Sequence, residues 1–339
     1  METKLLSAGP QAIEEAARLL RAGEIVGIPT ETVYGLAADA TNSAAVKKIF
    51  EAKGRPQDNP LIVHISRLEE LSEVVREVPP QALRLAEAYW PGPLTIIMKK
   101  SAAIPAETCA GLDTVAVRMP SHPVAREIIR ACGLPLAAPS ANLSGLPSPT
   151  TAQHTFRDLN GRVPLIVDGG PCAVGVESTV ITVAGDHPTL LRPGYITKEQ
   201  LESALGEEVA LSSAILNKLA DGEVAASPGM KYKHYSPRAD VVILKGDFDA
   251  YRRYLESHPQ EGAYAMCYEG EENRLPLPCI PCGRADDPAS QAHALFAALR
   301  QADDLGAKIV YAHCPAQDGL SMAVYNRLIR AAAFQVIEL

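Results

Sequence analysis

Apolar positions in the first two hundred residues switch between helical and strand periods. Ile13, Ala16, Ala17, Leu19 and Leu20 recur at helical spacing and predict a helix over 11–22, with Gly23 as its stop. The apolar run 24–28 reads as a short buried strand and leads into a polar loop, Pro29-Thr-Glu-Thr-Val-Tyr-Gly35. A second helix over 43–52 has Asn42 or Ser43 as its N-cap. Strands are expected at 61–65, 94–98, 114–119, 136–138, 165–167 and 178–183, with helices near 67–76, 80–89 and 122–131 between them. Several strands follow one another directly. That order predicts a twisted mixed sheet covered by helices rather than a pure βαβ series.

The pattern weakens near Leu205, where one helical stretch, 211–219, precedes Ser227-Pro-Gly-Met-Lys-Tyr-Lys-His-Tyr-Ser-Pro237. This segment reads as a linker, yet Tyr232, His234 and Tyr235 stand among its lysines where an ordinary linker is Gly/Ser- or Pro-rich. From Asp240 strands and helices alternate: strand 241–244, helix 248–257, strand 263–267, helix 287–301, strand 309–312 and helix 321–333. Such alternation predicts a small parallel α/β domain. The chain is thus expected to divide into an α/β (α+β-like) catalytic domain over 1–206, a linker over 207–238 and the small domain over 239–339.

Composition narrows the class. A hydrophobic fraction of 47% with 21% charged residues fits a compact folded protein and excludes disorder. The net charge of −8 disfavours general coating of nucleic acid, although one basic cleft remains compatible with it. The N-terminus lacks the pattern of a signal peptide, and no apolar run approaches the ~20 residues that span a bilayer. Seven scattered cysteines fit reduced thiols, so a cytoplasmic location is expected. Cys279-Ile-Pro-Cys282 has no second CxxC beside it and, flanked by prolines, reads as a loop.

The chemistry-bearing residues lie mostly in polar loops that follow apolar strands, where open α/β sheets bind ligands. GxxxxGK[ST], a dinucleotide fingerprint, GxSxG and HExxH are all missing. Lys53-Gly-Arg55 closes a helix: its cations either complement the helix dipole or grip a polyphosphate, and Pro56 and Pro60 shape the loop that follows. Arg118 ends an apolar strand, either reaching solvent or anchoring an anion. Ser140-Ala-Asn142-Leu-Ser144, Glu177-Ser178-Thr179 and Leu191-Arg192-Pro-Gly194 add short hydrogen-bonding side chains in turns. This collection of binders points to positioning and charge stabilisation, as in phosphoryl and nucleotidyl transfer.

Taken in order, Gly27-Ile-Pro-Thr-Glu-Thr-Val-Tyr-Gly-Leu36, Lys53-Gly-Arg55 through His64, Trp90-Pro-Gly-Pro-Leu-Thr95, Val117-Arg-Met-Pro120, Ala138-Pro-Ser-Ala-Asn-Leu-Ser-Gly145, Gly175-Val-Glu-Ser-Thr179 and Leu191-Arg-Pro-Gly194 resemble the motifs of the YrdC-type threonylcarbamoyl-adenylate synthases. The linker and Asn326-Arg327-Leu328 resemble the two-domain members of that family. The resemblance implies a YrdC-like mixed sheet followed by a Rossmann-like domain. It also implies a reaction: L-threonine, bicarbonate or CO2, and ATP give threonylcarbamoyl-adenylate and diphosphate. A separate transferase complex then passes the group to the adenosine beside the anticodon of certain tRNAs, and whether this chain touches tRNA itself stays open.

By the same resemblance Thr32, His64, Arg118, Ala138 and Ser178 match threonine-binding positions, with Arg118 pairing the carboxylate. Arg55, Asn59, Thr114, Ser140, Ser148, Arg192 and Tyr235 match ATP-binding positions, the last making the linker an active-site lid. Lys53 and Arg55 are the catalytic pair expected to steady phosphate charge. Mg2+ is expected with ATP, without a metal site ligated by the protein. One rival is an RNA-binding or ribosome-associated factor whose basic concave face uses Lys47, Lys48, Lys53 and Arg55. Another is carbamoyl transfer as in hydrogenase-maturation relatives, whose zinc-finger and acylphosphatase modules this sequence lacks.

Overall fold

The computed structural model describes residues 2–217 and 234–339, which gather into two compact units. The first holds the described residues up to 217 except Gly145–Ser148 and Val174–Val176; these two short pieces group with 234–339 in the second.

In the first unit eleven strands make one mixed sheet. In chain order they are β1 (Lys4–Ser7), β2 (Val26–Ile28), β3 (Gly35–Asp39), β4 (Ile62–His64), β5 (Leu94–Lys99) and β6 (Thr114–Arg118). There follow β7 (Leu136–Ala137), β8 (Leu165–Asp168), β9 (Thr179–Thr182), β10 (Thr189–Arg192) and β11 (Ala210–Leu211). Across the sheet the order is β1-β8-β2-β3-β7-β4-β6-β5-β9-β10-β11. Parallel and antiparallel neighbours alternate at its centre: β4 runs parallel to β6, while β7 opposes β4 and β5 opposes β6.

Helices Pro10–Arg21 and Pro123–Cys132 bury their apolar stripes against one end of the sheet, where Ala16, Leu20, Val26, Ile128, Leu136 and Leu165 meet. The other end carries a smaller apolar cluster, Ile62, Ile97, Ala116, Val180 and Leu191. Strand alternation puts that cluster on the same face as His64, Thr95, Thr114 and Arg118. Polar groups therefore ring an apolar floor.

The expected mixed sheet is present, but not every element was foreseen. β3 begins at a glycine and consists of small residues of weak strand preference, and it forms because it pairs with both β2 and β7. Edge strand β1 shows no clean alternation, and β10, β11 and the helices Ala152–Leu159 and Lys198–Leu205 were likewise unforeseen. The helix expected from 211 is replaced: Leu211 pairs with Leu190 in β11, and Ser213–Ile215 form one 3-10 turn capped by the Ser212 hydroxyl. Residues 218–219 of that expectation, and 218–233 of the expected linker and lid, lie outside the described residues.

The second unit has a separate parallel sheet of β12 (Asp240–Lys245), β13 (Ala263–Cys267), β14 (Cys279–Pro281), β15 (Ile309–His313) and β16 (Val336–Glu338), in the order β14-β13-β15-β12-β16. Helices Phe248–Ser257, Pro288–Asp304 and Ser321–Ala331 connect them, as the alternation predicted. Cys279–Pro281, expected to be a loop, is a strand: it lies at the sheet edge, where a residue without an N–H is tolerated. Cys282 just beyond it is buried, and burial pushes its thiol up to about 12, so it stays neutral. Gly175 belongs to this unit through a close approach. A Cβ there would lie 2.5 Å from His293 Cα, and its φ of +85° adds strain for any other residue.

Candidate active site

The site is built around the end of β6. Register places Thr95, Arg118, His64 and Leu136 in one row across β5, β6, β4 and β7. Arg118 is buried, and each of its three nitrogens has a protein partner. Nε donates to Gly92 O at 3.3 Å, Nη1 donates to Thr32 Oγ1 at 2.9 Å, and Nη2 lies 2.6 Å from Glu31 Oε1. A guanidinium carries five N–H groups; Nε and Nη1 commit one each, and Nη2 meets Glu31 as an ion pair without a hydrogen bond, so hydrogens on both terminal nitrogens are left to meet a carboxylate.

The loop between β2 and β3 presents Glu31 and Thr32 through a directed chain of hydroxyls. Thr30 Oγ1 donates to Val33 O at 2.6 Å and accepts from the backbone N–H groups of Thr32 and Val33. With its one hydrogen committed there, it accepts from the Thr32 hydroxyl at 2.9 Å, leaving Thr32 Oγ1 to accept from Arg118. Tyr34 N donates to Pro149 O and Tyr34 Oη to Gly170 O, which anchors the loop's far end. Burial works against ionisation of Glu31, but the Arg118 charge and contact outweigh it. The Glu31 carboxyl is held below its ordinary range.

Lys53 ends the helix Ser43–Lys53, which stops at Gly54 in the left-handed conformation. Its ammonium, 3% of the residue exposed, donates to Asn142 O at 2.7 Å and also to Ser140 O. The backbone returns the tie, since Ser144 N donates to Lys53 O at 2.9 Å. Burial, reinforced by the Arg55 charge, pushes the Lys53 amine well below its ordinary range. Lys53 therefore clamps the 140–144 loop. Ala138 N meanwhile donates to Ile62 O, joining this loop's base to β4.

Arg55 is half-buried and donates to Asn59 O at 3.4 Å. Asn59 is buried, and among the described residues neither atom of its side-chain amide has a hydrogen-bond partner. Buried amides are normally satisfied, so this one is a candidate ligand contact. Thr114 lies at the opposite end of β6 from Arg118, about 13 Å away by strand rise. The parallel register of β4 and β6 sets Thr114 beside the Asn59–Pro60 entry to β4.

On the other flank, Arg192 Nε donates to Ser178 O at 3.0 Å and its Nη2 to Ser178 Oγ at 3.1 Å. Ser178 Oγ lies 2.8 Å from Thr95 Oγ1. Gly194 lets this turn close: a Cβ there would meet Thr179 N at 2.3 Å.

Of the residues singled out in the sequence, Thr32, Lys53, Arg55, Asn59, His64, Thr114, Arg118, Ala138, Ser140, Ser178 and Arg192 all fall in the first unit. Ser148 and Tyr235 fall in the second. Ser148 is fully buried; Tyr235 adopts a φ of 64° and packs its ring 5.2 Å from that of Phe296. Two participants, Glu31 and Thr95, were missed. Both stand inside quoted motifs, but the contacts that identify them come from residues distant in sequence. Among the described residues no three His, Cys, Asp or Glu side chains gather closely enough to hold a metal ion. Nor is any helix long and apolar enough to cross a membrane.

His64 is buried, its Nδ1 3.1 Å from Ile62 O, and burial together with the Arg118 charge pushes its pKa down to about 3. The imidazole is neutral when folded, while the unfolded chain takes up that proton below about 6.5. Stability is therefore lost as pH falls from about 6.5 towards 3, at about 1.4 kcal/mol per pH unit. His64→Asn should remove roughly 2 kcal/mol of the stability difference between pH 6.5 and 5, read from urea unfolding at the two pH values. An unchanged difference would show that His64 does not stay neutral.

Comparison with known proteins agrees with this arrangement. The family model Sua5/YciO/YrdC, described as telomere recombination, matches residues 18–194. A second, described as the threonylcarbamoyl-AMP synthase C-terminal domain, matches 196–333. The threonylcarbamoyl-AMP synthase of Bacillus subtilis is 45% identical over 99% of this chain and 97% of its own. That of Pyrococcus abyssi is 43% identical over 96% and 95%. The crystal structure of P. abyssi Sua5 complexed with L-threonine superposes with a TM-score of 0.93 at 40% identity, covering 100% of both chains. A mixed-sheet unit and a parallel-sheet unit, matched in order and along nearly the full length, identify this chain as a member of the threonylcarbamoyl-AMP synthase family.

Proposed function

We propose that the chain joins L-threonine, CO2 or bicarbonate, and ATP into L-threonylcarbamoyl-AMP with release of diphosphate. The threonine nitrogen bonds to the carbon of CO2 and loses a proton, giving a carbamate. A carbamate oxygen then bonds to the α-phosphorus of ATP as the bond to the β-phosphate's bridging oxygen breaks, and diphosphate leaves. Such a reaction needs two reactants held together and water kept out.

The observation that carries this reading is the Arg118 guanidinium, held by Gly92 O, the Thr32 hydroxyl and Glu31 with N–H groups left over, in a chain aligned end to end with named synthases. In this reading Arg118 takes the threonine carboxylate, and Thr32, His64, Ala138 and Ser178 shape the rest of that pocket. Towards the other end of β6, Arg55, Asn59, Thr114 and Ser140 hold the nucleotide, with Arg192 meeting it from the Ser178 flank, and the unpartnered Asn59 amide is the group best placed for it. Lys53 acts by keeping the Ser140–Asn142 loop in position. Mg2+ would arrive on the triphosphate and supply charge neutralisation there. The adenylate would pass to a separate complex that modifies tRNA, in the cytoplasm.

The experiment is diphosphate release with ATP, bicarbonate and single amino acids. Release with threonine, and little with serine, valine or none, is the expected result. Equal release without any amino acid would overturn the reading.

A further inference from the structure

We propose that Glu31 is a positioning residue for threonine recognition: it holds the Arg118 guanidinium so that N–H groups on both of its terminal nitrogens face the amino acid's carboxylate. The inference deepens the role given to Arg118 above and rests on it.

Arginine cannot shed its charge inside a protein, so a buried guanidinium needs a counter-charge. Glu31 is that partner, at 2.6 Å, with side chains 4% and 9% exposed for Arg118 and Glu31. Its two carboxylate oxygens are closed off from solvent, and among the described residues neither they nor Arg118 Nη2 has a hydrogen-bond partner, so the contact is a close ion pair. Glu31 is therefore placed to act through the arginine it pairs with.

The three anchors on Arg118 are unequal. The Nε contact with Gly92 O is long at 3.3 Å, and the Nη1 bond to Thr32 depends on a hydroxyl. Only the Glu31 contact is both short and charged, so without it the guanidinium keeps one long bond and one neutral one, and its plane can swing. The position of Glu31 is itself imposed, because it lies between Thr30 and Thr32 in the loop locked by the Thr30 hydroxyl. Backbone geometry, passed through one carboxylate, thus sets the direction of the arginine fork.

The test is steady-state diphosphate release by Glu31→Gln, Glu31→Asp and Arg118→Lys, with KM for threonine and for ATP measured separately. Misplacement by ~1 Å costs up to about 100-fold, so Glu31→Gln should raise KM for threonine by about 10- to 100-fold and leave KM for ATP unchanged. Glu31→Asp, which keeps the charge one methylene further back, should give a smaller rise. Normal KM for threonine in folded Glu31→Gln overturns the inference, as do equal rises in both constants, which describe a merely structural ion pair. Should Glu31→Gln fail to fold, Glu31→Asp decides by the same criterion. Arg118→Lys separates the two levels. If it leaves KM for threonine unchanged, the carboxylate role of Arg118 is wrong; if it raises that KM while Glu31→Gln does not, only the role of Glu31 is wrong.

Discussion

Arg118→Lys should lower kcat/KM for threonine by about two orders of magnitude while the protein stays folded. Lysine keeps the positive charge that Glu31 requires, so the penalty of an unpaired buried carboxylate is avoided. What is lost is geometry. The guanidinium reaches Gly92, Thr32 and Glu31 at once and keeps an N–H on each terminal nitrogen for a bidentate carboxylate, whereas an ammonium has three donors on one atom. Two charge-assisted hydrogen bonds at about 1.5 kcal/mol each correspond to roughly 100-fold. Arg118→Ala is the less informative change, because it strands Glu31 and should cost about 3–5 kcal/mol of stability as well. Thermal melting alongside kinetics separates the two effects. A kcat/KM for Arg118→Lys within a few-fold of the parent would remove Arg118 from the threonine site.

Much of this arrangement was legible in the sequence wherever one segment contained its own reasons. The helix Pro80–Tyr89 carries a proline at its first position and an apolar stripe, and it forms where that pattern places it. Strands β5 and β6 are apolar runs of ordinary length and could be read directly. β3 could not, because Gly35, Leu36, Ala37, Ala38 and Asp39 become a strand only through partners on both sides. The site divides in the same way. Arg118 was conspicuous as a charge at the end of an apolar strand, but its counter-charge sits in a loop far upstream with nothing local to mark it. The partners of Lys53 are backbone carbonyls, which carry no sequence signature at all.

That last point turns the Lys53-Gly-Arg55 motif into two separable experiments. A pair of phosphate-gripping cations would lose activity in parallel when either is removed, with the fold intact. The geometry gives them different work. Lys53→Met keeps most of the side-chain volume but leaves the Ser140 and Asn142 carbonyls without their donor in a buried site. Each stranded carbonyl costs about 1–3 kcal/mol, and a domain of this size loses about 2–4 °C per kcal/mol, so melting should fall by roughly 10 °C. Diphosphate release should fall with it, since Ser140 lies on the loop that is freed. Arg55 is half-buried and its bond to Asn59 O is long, so Arg55→Ala should melt closer to the parent than Lys53→Met does. Its activity should nevertheless drop by about 100-fold if the guanidinium meets the triphosphate, because a charge-assisted contact to phosphate is lost. Equal melting temperatures for the two variants would return Lys53 to the phosphate. A large drop for Lys53→Met alone assigns it to the loop, leaving Arg55 as the cation of the pair that faces ATP.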